Sequence, residues 1–182
     1  MTIPPALRAM NFENYRQAQE NRDAYARARA FLAGEKSLYL YGNPGTGKTH
    51  LLAATLGEAL RTYCPTEIMF SNVSRLLKIE RAEYETREEA EERLIERISR
   101  KRLVFLDDIS AENATGRTAE ILYLILNDAI ENGRPRLFIT GNKPIRYISE
   151  NVSDRIASRI VGLCGQENIV KVEGDDWRLN NG

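Results

Sequence analysis

The chain contains little of what metal centres and disulfide frameworks require, with one histidine and two cysteines among 182 residues. Cys64 and Cys164 lie far apart in apolar surroundings, which indicates core thiols in a reducing compartment and argues against a metal site. No apolar run approaches the ~20 residues of a membrane span, and residues 1–5 lack the charged-then-apolar layout of a secretory signal. We therefore expect a cytoplasmic protein that makes no membrane contact.

The net charge of the chain is zero, because 26 lysines and arginines balance 26 aspartates and glutamates. The sequence therefore carries no global signal for binding a polyanion, and any contact with nucleic acid must come from a local basic patch. A chain of this length suits one domain with a full hydrophobic core. We expect residues 1–182 to form that domain, with residues 1–18 as an irregular N-terminal segment.

One glycine-rich run carries the strongest functional signal. It matches the pattern G-x-x-x-x-G-K-[ST] and lies between a predicted strand at 37–41 and a predicted helix at 50–61. Glycines let successive N–H groups converge on phosphate oxygens, and the following helix adds the positive end of its dipole. The sequence thus predicts a nucleoside triphosphate site. Its eight residues are Gly42, Asn43, Pro44, Gly45, Thr46, Gly47, Lys48 and Thr49.

Triphosphate hydrolysis needs a held Mg²⁺ and an aimed water as well as a phosphate cradle. Lys48 is expected to reach the β- and γ-phosphates, and the Thr49 hydroxyl to take a place on Mg²⁺. Two acids follow the buried strand predicted at 103–106. Asp107 would hold Mg²⁺ through water and Asp108 would polarise the attacking water, because ligands of open α/β sheets gather at strand ends. The alternative is that the pair only ends a strand and caps a turn.

The segment at 138–145 tests which base is bound. Its Asn142-Lys143 pair begins the guanine-reading pattern N-K-x-D, but Ile145 stands where the carboxylate is required. Residues 107–110 also lack the glycine of a D-x-x-G switch, so a guanine site is rejected. Asn142, at a predicted strand end, is instead expected to contact the γ-phosphate or the attacking water, with a plain turn asparagine as the alternative.

Apolar strands without period-two alternation, separated by helices, favour a parallel sheet that is covered on both faces. The strands are predicted at 37–41, 66–71, 103–106, 136–140 and 168–173. The helices are predicted at 19–33, 50–61, 73–79, 80–102, 118–130 and 152–161.

Taken together in order and spacing, these motifs resemble the DnaC/IstB group of AAA+ ATPases, which contains bacterial and phage replicative helicase loaders. The resemblance covers almost the whole chain. It implies an α/β P-loop NTPase with an AAA+ core, in which a five-stranded parallel sheet ordered 5-1-4-3-2 is flanked by helices. As a departure from that family, we expect no C-terminal lid domain, because the chain stops soon after its last predicted strand. The matching stretches are 12–15, the phosphate loop with His50, 107–108, 140–142, 158–159 and 174–178.

The resemblance also implies an ATP-dependent homo-oligomer, in which an arginine of one subunit completes the site of its neighbour. Arg159 is favoured for this role because it follows a serine, and Arg155 is the second candidate. A planar cation placed where γ-phosphate charge builds up accelerates hydrolysis by several powers of ten. The alternative is that these arginines pair with Asp154 or Glu150 on a helix surface.

The function implied is ATP binding and slow hydrolysis to ADP by a protein that assembles on single-stranded DNA and helps to load the replicative DNA helicase. Slow turnover is expected because Asp108 stands where many AAA+ enzymes carry glutamate. Arg75, Lys78 and Arg81 are the candidate DNA contacts, although glutamates interleave with them. The alternatives are an IstB-like transposition helper ATPase, a nucleotide-gated binding module with negligible hydrolysis, and a small P-loop kinase.

Three further residues are candidates for the nucleotide site. Phe12 and Tyr15 are predicted either to flank the adenine base or to pack on the core. His50 begins the helix after the loop, where it would contact phosphate or remain a surface residue.

Overall fold

The computed structural model describes residues 3–72, 86–109 and 116–176. The helix predicted at 73–79 lies outside the described residues. The three candidate DNA contacts Arg75, Lys78 and Arg81 lie outside them as well.

A five-stranded sheet with parallel pairing organises the fold. Its order is β2-β3-β4-β1-β5, which read from the other edge is the predicted order and confirms it. Tyr39 on β1 is opposite both Ile139 and Ile169, so β1 lies between β4 and β5. The strands are β1 Leu38–Tyr41, β2 Ile68–Asn72, β3 Leu103–Ile109, β4 Arg136–Gly141 and β5 Ile169–Lys171.

Seven described α-helices connect or flank these strands. Their bounds are α1 Pro5–Arg8, α2 Arg22–Ala30, α3 Lys48–Thr62, α4 Arg87–Ser99, α5 Arg117–Glu131, α6 Ile145–Asn151 and α7 Asp154–Cys164. None of the helices in the described ranges is long and apolar enough to cross a membrane.

Each face of the sheet carries its own buried cluster of apolar side chains, as the continuous apolar strands predicted. Residues of α2 and α3 cover one face, where Phe31 packs edge-on against Phe105 and Phe138. Residues of α4, α5 and α7 cover the other face, which includes Tyr39.

The helix near the end of the chain differs from its prediction. Instead of one helix at 152–161 there are two, α6 and α7, with Ser153 between them. The Ser153 side chain accepts a hydrogen bond from the Ile156 amide at 3.4 Å and so begins α7. Pro144 immediately precedes α6. Proline is tolerated at the start of a helix because an amide there has no carbonyl partner within the helix, so the missing N–H costs no hydrogen bond.

The ends of other elements also depart from the pattern. Residues 1–18, predicted to be irregular, include the single-turn helix α1. Helix α4 begins at Arg87, because the Thr86 hydroxyl accepts from the Glu89 amide and caps it there. Residues 80–85 of the predicted helix lie outside the described residues.

The aromatic contact on the α2–α3 face yields a stability prediction. Phe105→Ala should lower the free energy of unfolding by about 3–5 kcal/mol, because it empties a fully buried position between two rings. Urea unfolding followed by circular dichroism would measure it. Leu124→Ala is the control, since Leu124 is 37% exposed on α5 and should change stability by less than about 1 kcal/mol. Equal losses in the two variants would contradict this assignment of the core.

Candidate nucleotide site

A cavity of about 790 Å³ opens at the carboxyl ends of β1, β3 and β4, where open α/β sheets bind ligands. The phosphate loop forms one wall, and residues from the N-terminal segment and from the ends of β2, β3 and β4 form the others. The lining comprises residues 44–50 together with Met10, Asn14, Tyr15, Arg16, Asn72, Asp107, Asp108, Thr140 and Asn142.

The loop's backbone requires glycine at two of these positions. Gly45 and Gly47 have φ angles of +78° and +93°, a region that side chains rarely adopt. Neither has room for a β-carbon: at Gly45 it would overlap the carboxylate of Asp176, and at Gly47 it would lie 2.8 Å from Cε2 of Tyr15. The loop is therefore held between the segment that follows β5 and the N-terminal segment.

Lys48 is the first residue of α3 and folds back across the loop. Its Nζ donates to the carbonyl oxygens of Gly42 at 2.8 Å and Asn43 at 2.6 Å. The preceding residue, Gly47, caps α3 without a side-chain hydrogen bond, so the first amides of this helix are open to an anion. A cation and a helix N-terminus thus face the same cavity, which suits the phosphates of a nucleotide.

Asp107, at the end of β3, is tied to two other elements through one oxygen. Its Oδ1 accepts from the Thr49 hydroxyl at 3.0 Å and from the Thr140 hydroxyl at 2.8 Å. Burial raises the pKa of this carboxyl, and the two hydroxyl donors oppose that shift. Hydroxyl and carboxylate oxygens are the hard ligands that Mg²⁺ prefers, so this cluster fits a divalent cation.

A β-bulge brings the neighbouring acid to the same cavity. Consecutive residues of a regular strand point to opposite faces, but the pairing of β3 with β4 shifts register between Leu106 and Ile109. Asp108 has a φ angle of +56° at this bulge, and its amide donates to Thr140 Oγ1 at 2.9 Å. Both Asp107 and Asp108 therefore line the cavity.

Asn142 follows the end of β4 and lines the same cavity. Its Oδ1 is buried and has no hydrogen-bond partner among the residues that the structure describes. A buried acceptor without a partner is costly, which makes it a natural contact for a ligand or a water.

Both aromatic candidates belong to the buried cluster on the α2–α3 face, and of the two only Tyr15 also lines the cavity. Phe12 is 7% exposed, packs edge-on against Tyr25 at 5.5 Å between ring centroids, and does not line the cavity. Of its two predicted positions it therefore occupies the core. Tyr15 packs on Gly47 at the cavity wall, and burial raises its pKa to about 12. Its hydroxyl is buried and has no hydrogen-bond partner in the part of the chain that the structure describes.

His50 lies at the cavity wall but contacts the N-terminal segment. Its Nε2 is 2.9 Å from the carbonyl oxygen of Asn11 and 3.0 Å from Oδ1 of Asn14, and its ring packs edge-on against Tyr15. Through Nε2, His50 thus fastens residues 11–15 beside the loop, and its contact with phosphate stays a prediction. Asn14 and Thr140 are site residues that were given no role of their own from the sequence, since only the tertiary structure brings them to the cavity.

The two arginine-finger candidates lie on α7, outside the cavity lining. Arg159 donates through Nε to Oδ1 of Asn127 at 2.8 Å, and its guanidinium lies 5.7 Å from the Tyr123 ring centroid. Arg155 is exposed.

The acids named as alternative partners for these arginines have other contacts. Glu150 pairs with Arg146 at 2.8 Å, and Asp154 accepts from Ser149 at 2.8 Å. Among the described residues, neither acid forms an ion pair with Arg155 or Arg159.

Three features together define a P-loop NTPase with an AAA+ core. They are a parallel sheet in this order, a glycine-rich loop after β1, and a carboxylate at the end of β3 that is hydrogen-bonded to the residue after the loop's lysine. Within that class, the chain belongs to the family of IstB-like ATP binding proteins, whose family model matches residues 4–182. This match confirms the resemblance found in the sequence motifs.

Three proteins illustrate what the chain is similar to. Phage-like element PBSX protein XkdC of Bacillus subtilis (strain 168) is 26% identical over 197 residues, covering 98% of this chain and 70% of XkdC. The replicative helicase loader DnaC of Escherichia coli (strain K12) is 25% identical over 162 residues, covering 85% of this chain and 65% of DnaC. AMPPCP-bound DnaA from Aquifex aeolicus shares the fold, with a TM-score of 0.76 and 23% identity over 92% of this chain and 51% of that chain. The chain therefore corresponds to part of each relative's length.

Substituting Asp107 should change the melting temperature in opposite directions in the ligand-free and the ligand-bound protein. Asp107→Asn should raise the melting temperature of the ligand-free protein at pH 7.5 by roughly 2–6 °C, because it removes a partly buried charge. A carboxyl whose pKa is raised on folding destabilises the protein above that pKa, so the gain should vanish towards about pH 4. Differential scanning fluorimetry would measure both effects.

Adding Mg²⁺ and ATP should reverse this ranking, because ligand binding then stabilises only the wild type. A ligand-free Asp107→Asn variant that melts at or below the wild-type temperature would contradict the assignment.

Proposed function

We propose that this protein binds ATP with Mg²⁺, hydrolyses it slowly to ADP, assembles with copies of itself on single-stranded DNA, and helps to load a replicative DNA helicase. The observation that carries the enzymatic part is the hydrogen-bonded group of Thr49, Asp107 and Thr140 beside the phosphate loop. The family of ATP-binding proteins to which the chain belongs supports the same proposal.

The loop and the first turn of α3 would hold the triphosphate. Lys48 would exchange its two carbonyl contacts for the β- and γ-phosphates, and the amides of residues 45–49 would donate to phosphate oxygens. Tyr15 would flank the adenine base, since it lines the cavity beside Gly47 and its hydroxyl has no hydrogen-bond partner among the described residues. His50 would act indirectly by fastening Asn11 and Asn14.

Four side chains would carry out hydrolysis. Thr49 and Asp107 would hold Mg²⁺, which when bound draws charge from the phosphate oxygens. Asp108 would accept a hydrogen bond from the attacking water and orient it, and its bulged backbone directs it to the cavity. Asn142 would contact the γ-phosphate or that water with its side-chain amide.

The positive charge that stabilises the γ-phosphate during hydrolysis would come from an arginine of a neighbouring subunit. Arg159, with Arg155 as second candidate, lies outside the cavity of its own chain, so it can act only on another chain's nucleotide. Its neutral partner Asn127 and the ring of Tyr123 orient the guanidinium without neutralising it. The arrangement supports an ATP-dependent homo-oligomer.

The helicase-loading part rests on a relative, since DnaC of Escherichia coli is described as a replicative helicase loader. The rival is a transposition helper ATPase of the IstB type, since the matching family is described as IstB-like ATP binding proteins. Pull-down of purified helicase and of purified transposase would separate them. Retention of helicase alone in the presence of ATP supports loading, and retention of transposase alone supports the rival.

Nucleotide binding is tested by Lys48→Ala. The variant should lose at least about 100-fold in affinity for fluorescent ATP, because it removes the cation that faces the phosphates. Lys36→Ala is the matched control, since Lys36 pairs with the exposed Glu167 away from the cavity and should bind as the wild type does. Undiminished affinity of the Lys48 variant would contradict the assignment of the loop.

The role between subunits is tested by Arg159→Ala. It should leave ATP affinity intact and lower the ATPase rate by at least about 100-fold. Mixing it with an Asp108→Asn protein, whose own Arg159 is intact, should restore part of the rate. Arg146→Ala is the surface control, because Arg146 pairs with Glu150 on α6. Absence of rescue in any mixing ratio would count against an arginine that acts between subunits.

A further inference from the structure

Tyr39 forms a hydrogen bond that links the strand before the phosphate loop to the residue after Asn142. It lies in the middle of the sheet on β1 and has no exposed surface. Its hydroxyl donates to the carbonyl oxygen of Lys143 at 2.6 Å. The bond therefore reaches from β1 past the end of β4.

The Tyr39 side chain also packs closely against Gly141, the residue before Asn142. A β-carbon on Gly141 would lie 2.5 Å from the Tyr39 hydroxyl oxygen and 3.1 Å from Cε2 of its ring. Glycine is thus required at 141 for space, because the tyrosine side chain occupies the position of a side chain there. The main chain is held by Tyr39 on both sides of Asn142.

Asn142 itself has little else to orient it. Its Oδ1 is buried at the cavity wall and has no partner among the described residues, so the direction of the side chain depends on the backbone that carries it. We propose that Tyr39 is the positioning residue for Asn142: its hydroxyl fixes the Gly141–Lys143 main chain so that the Asn142 amide faces the γ-phosphate. This inference rests on the proposed contact between Asn142 and the γ-phosphate.

The phenol suits this task better than another side chain. Burial raises the Tyr39 pKa well above its ordinary value, so the hydroxyl remains a proton donor at any physiological pH. Phenylalanine would keep the ring and the packing but leave the Lys143 carbonyl without this donor. The substitution Tyr39→Phe therefore removes the hydrogen bond alone.

Tyr41 offers a matched control on the same strand. It lies two residues further along on the same face, and its ring stacks on that of Tyr39 at 5.9 Å between centroids. Its hydroxyl makes no hydrogen bond to the described residues. Tyr41→Phe deletes the same atom without touching Lys143.

The experiment measures the ratio of affinities for AMPPNP and ADP, each with Mg²⁺, together with the ATPase rate. Tyr39→Phe should lower the AMPPNP-to-ADP affinity ratio and kcat by about 3- to 10-fold, the loss expected for one hydrogen bond, and leave ADP affinity unchanged. Tyr41→Phe should change neither. In an Asn142→Ala background, Tyr39→Phe should have no further effect, because Tyr39 acts through Asn142.

The outcomes separate this inference from the proposed function. If Asn142→Ala changes neither the affinity ratio nor kcat, the proposed role of Asn142 fails. If Asn142→Ala lowers the affinity ratio and kcat but Tyr39→Phe changes neither quantity, the inference about Tyr39 alone is overturned. It is also overturned if Tyr39→Phe lowers the two quantities in the Asn142→Ala background as much as it does in the wild type. Should Tyr39→Phe not fold, Gly141→Ala displaces the same hydroxyl and must lower the affinity ratio for the inference to stand.

Discussion

The site depends on one buried carboxylate oxygen that three elements share. Oδ1 of Asp107 on β3 accepts hydrogen bonds from Thr49 at the start of α3 and from Thr140 on β4. These bonds join the phosphate loop to the carboxyl edge of the sheet. They therefore fix the distance between the candidate cation site and the candidate phosphate site. Because burial disfavours the charged form of Asp107, the ligand-free site is costly, and a divalent cation would relieve that cost.

Much of the fold could be predicted from local patterns because its strands are buried on both faces. Runs such as Leu103–Leu106 are apolar without alternation, which indicates a parallel central strand, and residues 42–49 identify the strand–loop–helix unit on their own. The strand order followed from the family resemblance, and the observed sheet confirms it. The ends of α4 and the division of α6 from α7 could not be predicted as well, since single caps at Thr86 and Ser153 decide them.

The site was harder to predict wherever long-range contacts decide the position of a side chain. No periodicity reveals that β3 shifts register between Leu106 and Ile109, or that Phe12 turns into the core and Tyr15 lies against Gly47. The single histidine follows the loop in sequence and suggests phosphate contact, but its ring nitrogen binds residues 36 and 39 positions earlier in the chain. Such pairings exist only after the N-terminal segment has folded back over the loop.

The left-handed backbone at Asp108 has a consequence for how this active centre can change over evolutionary time. Aspartate and asparagine tolerate a φ of +56° better than longer side chains do. Glutamate at this position would place a longer side chain on a backbone conformation that it adopts less readily. Any lengthening of this acid is therefore constrained by main-chain geometry as well as by the chemistry of the cavity.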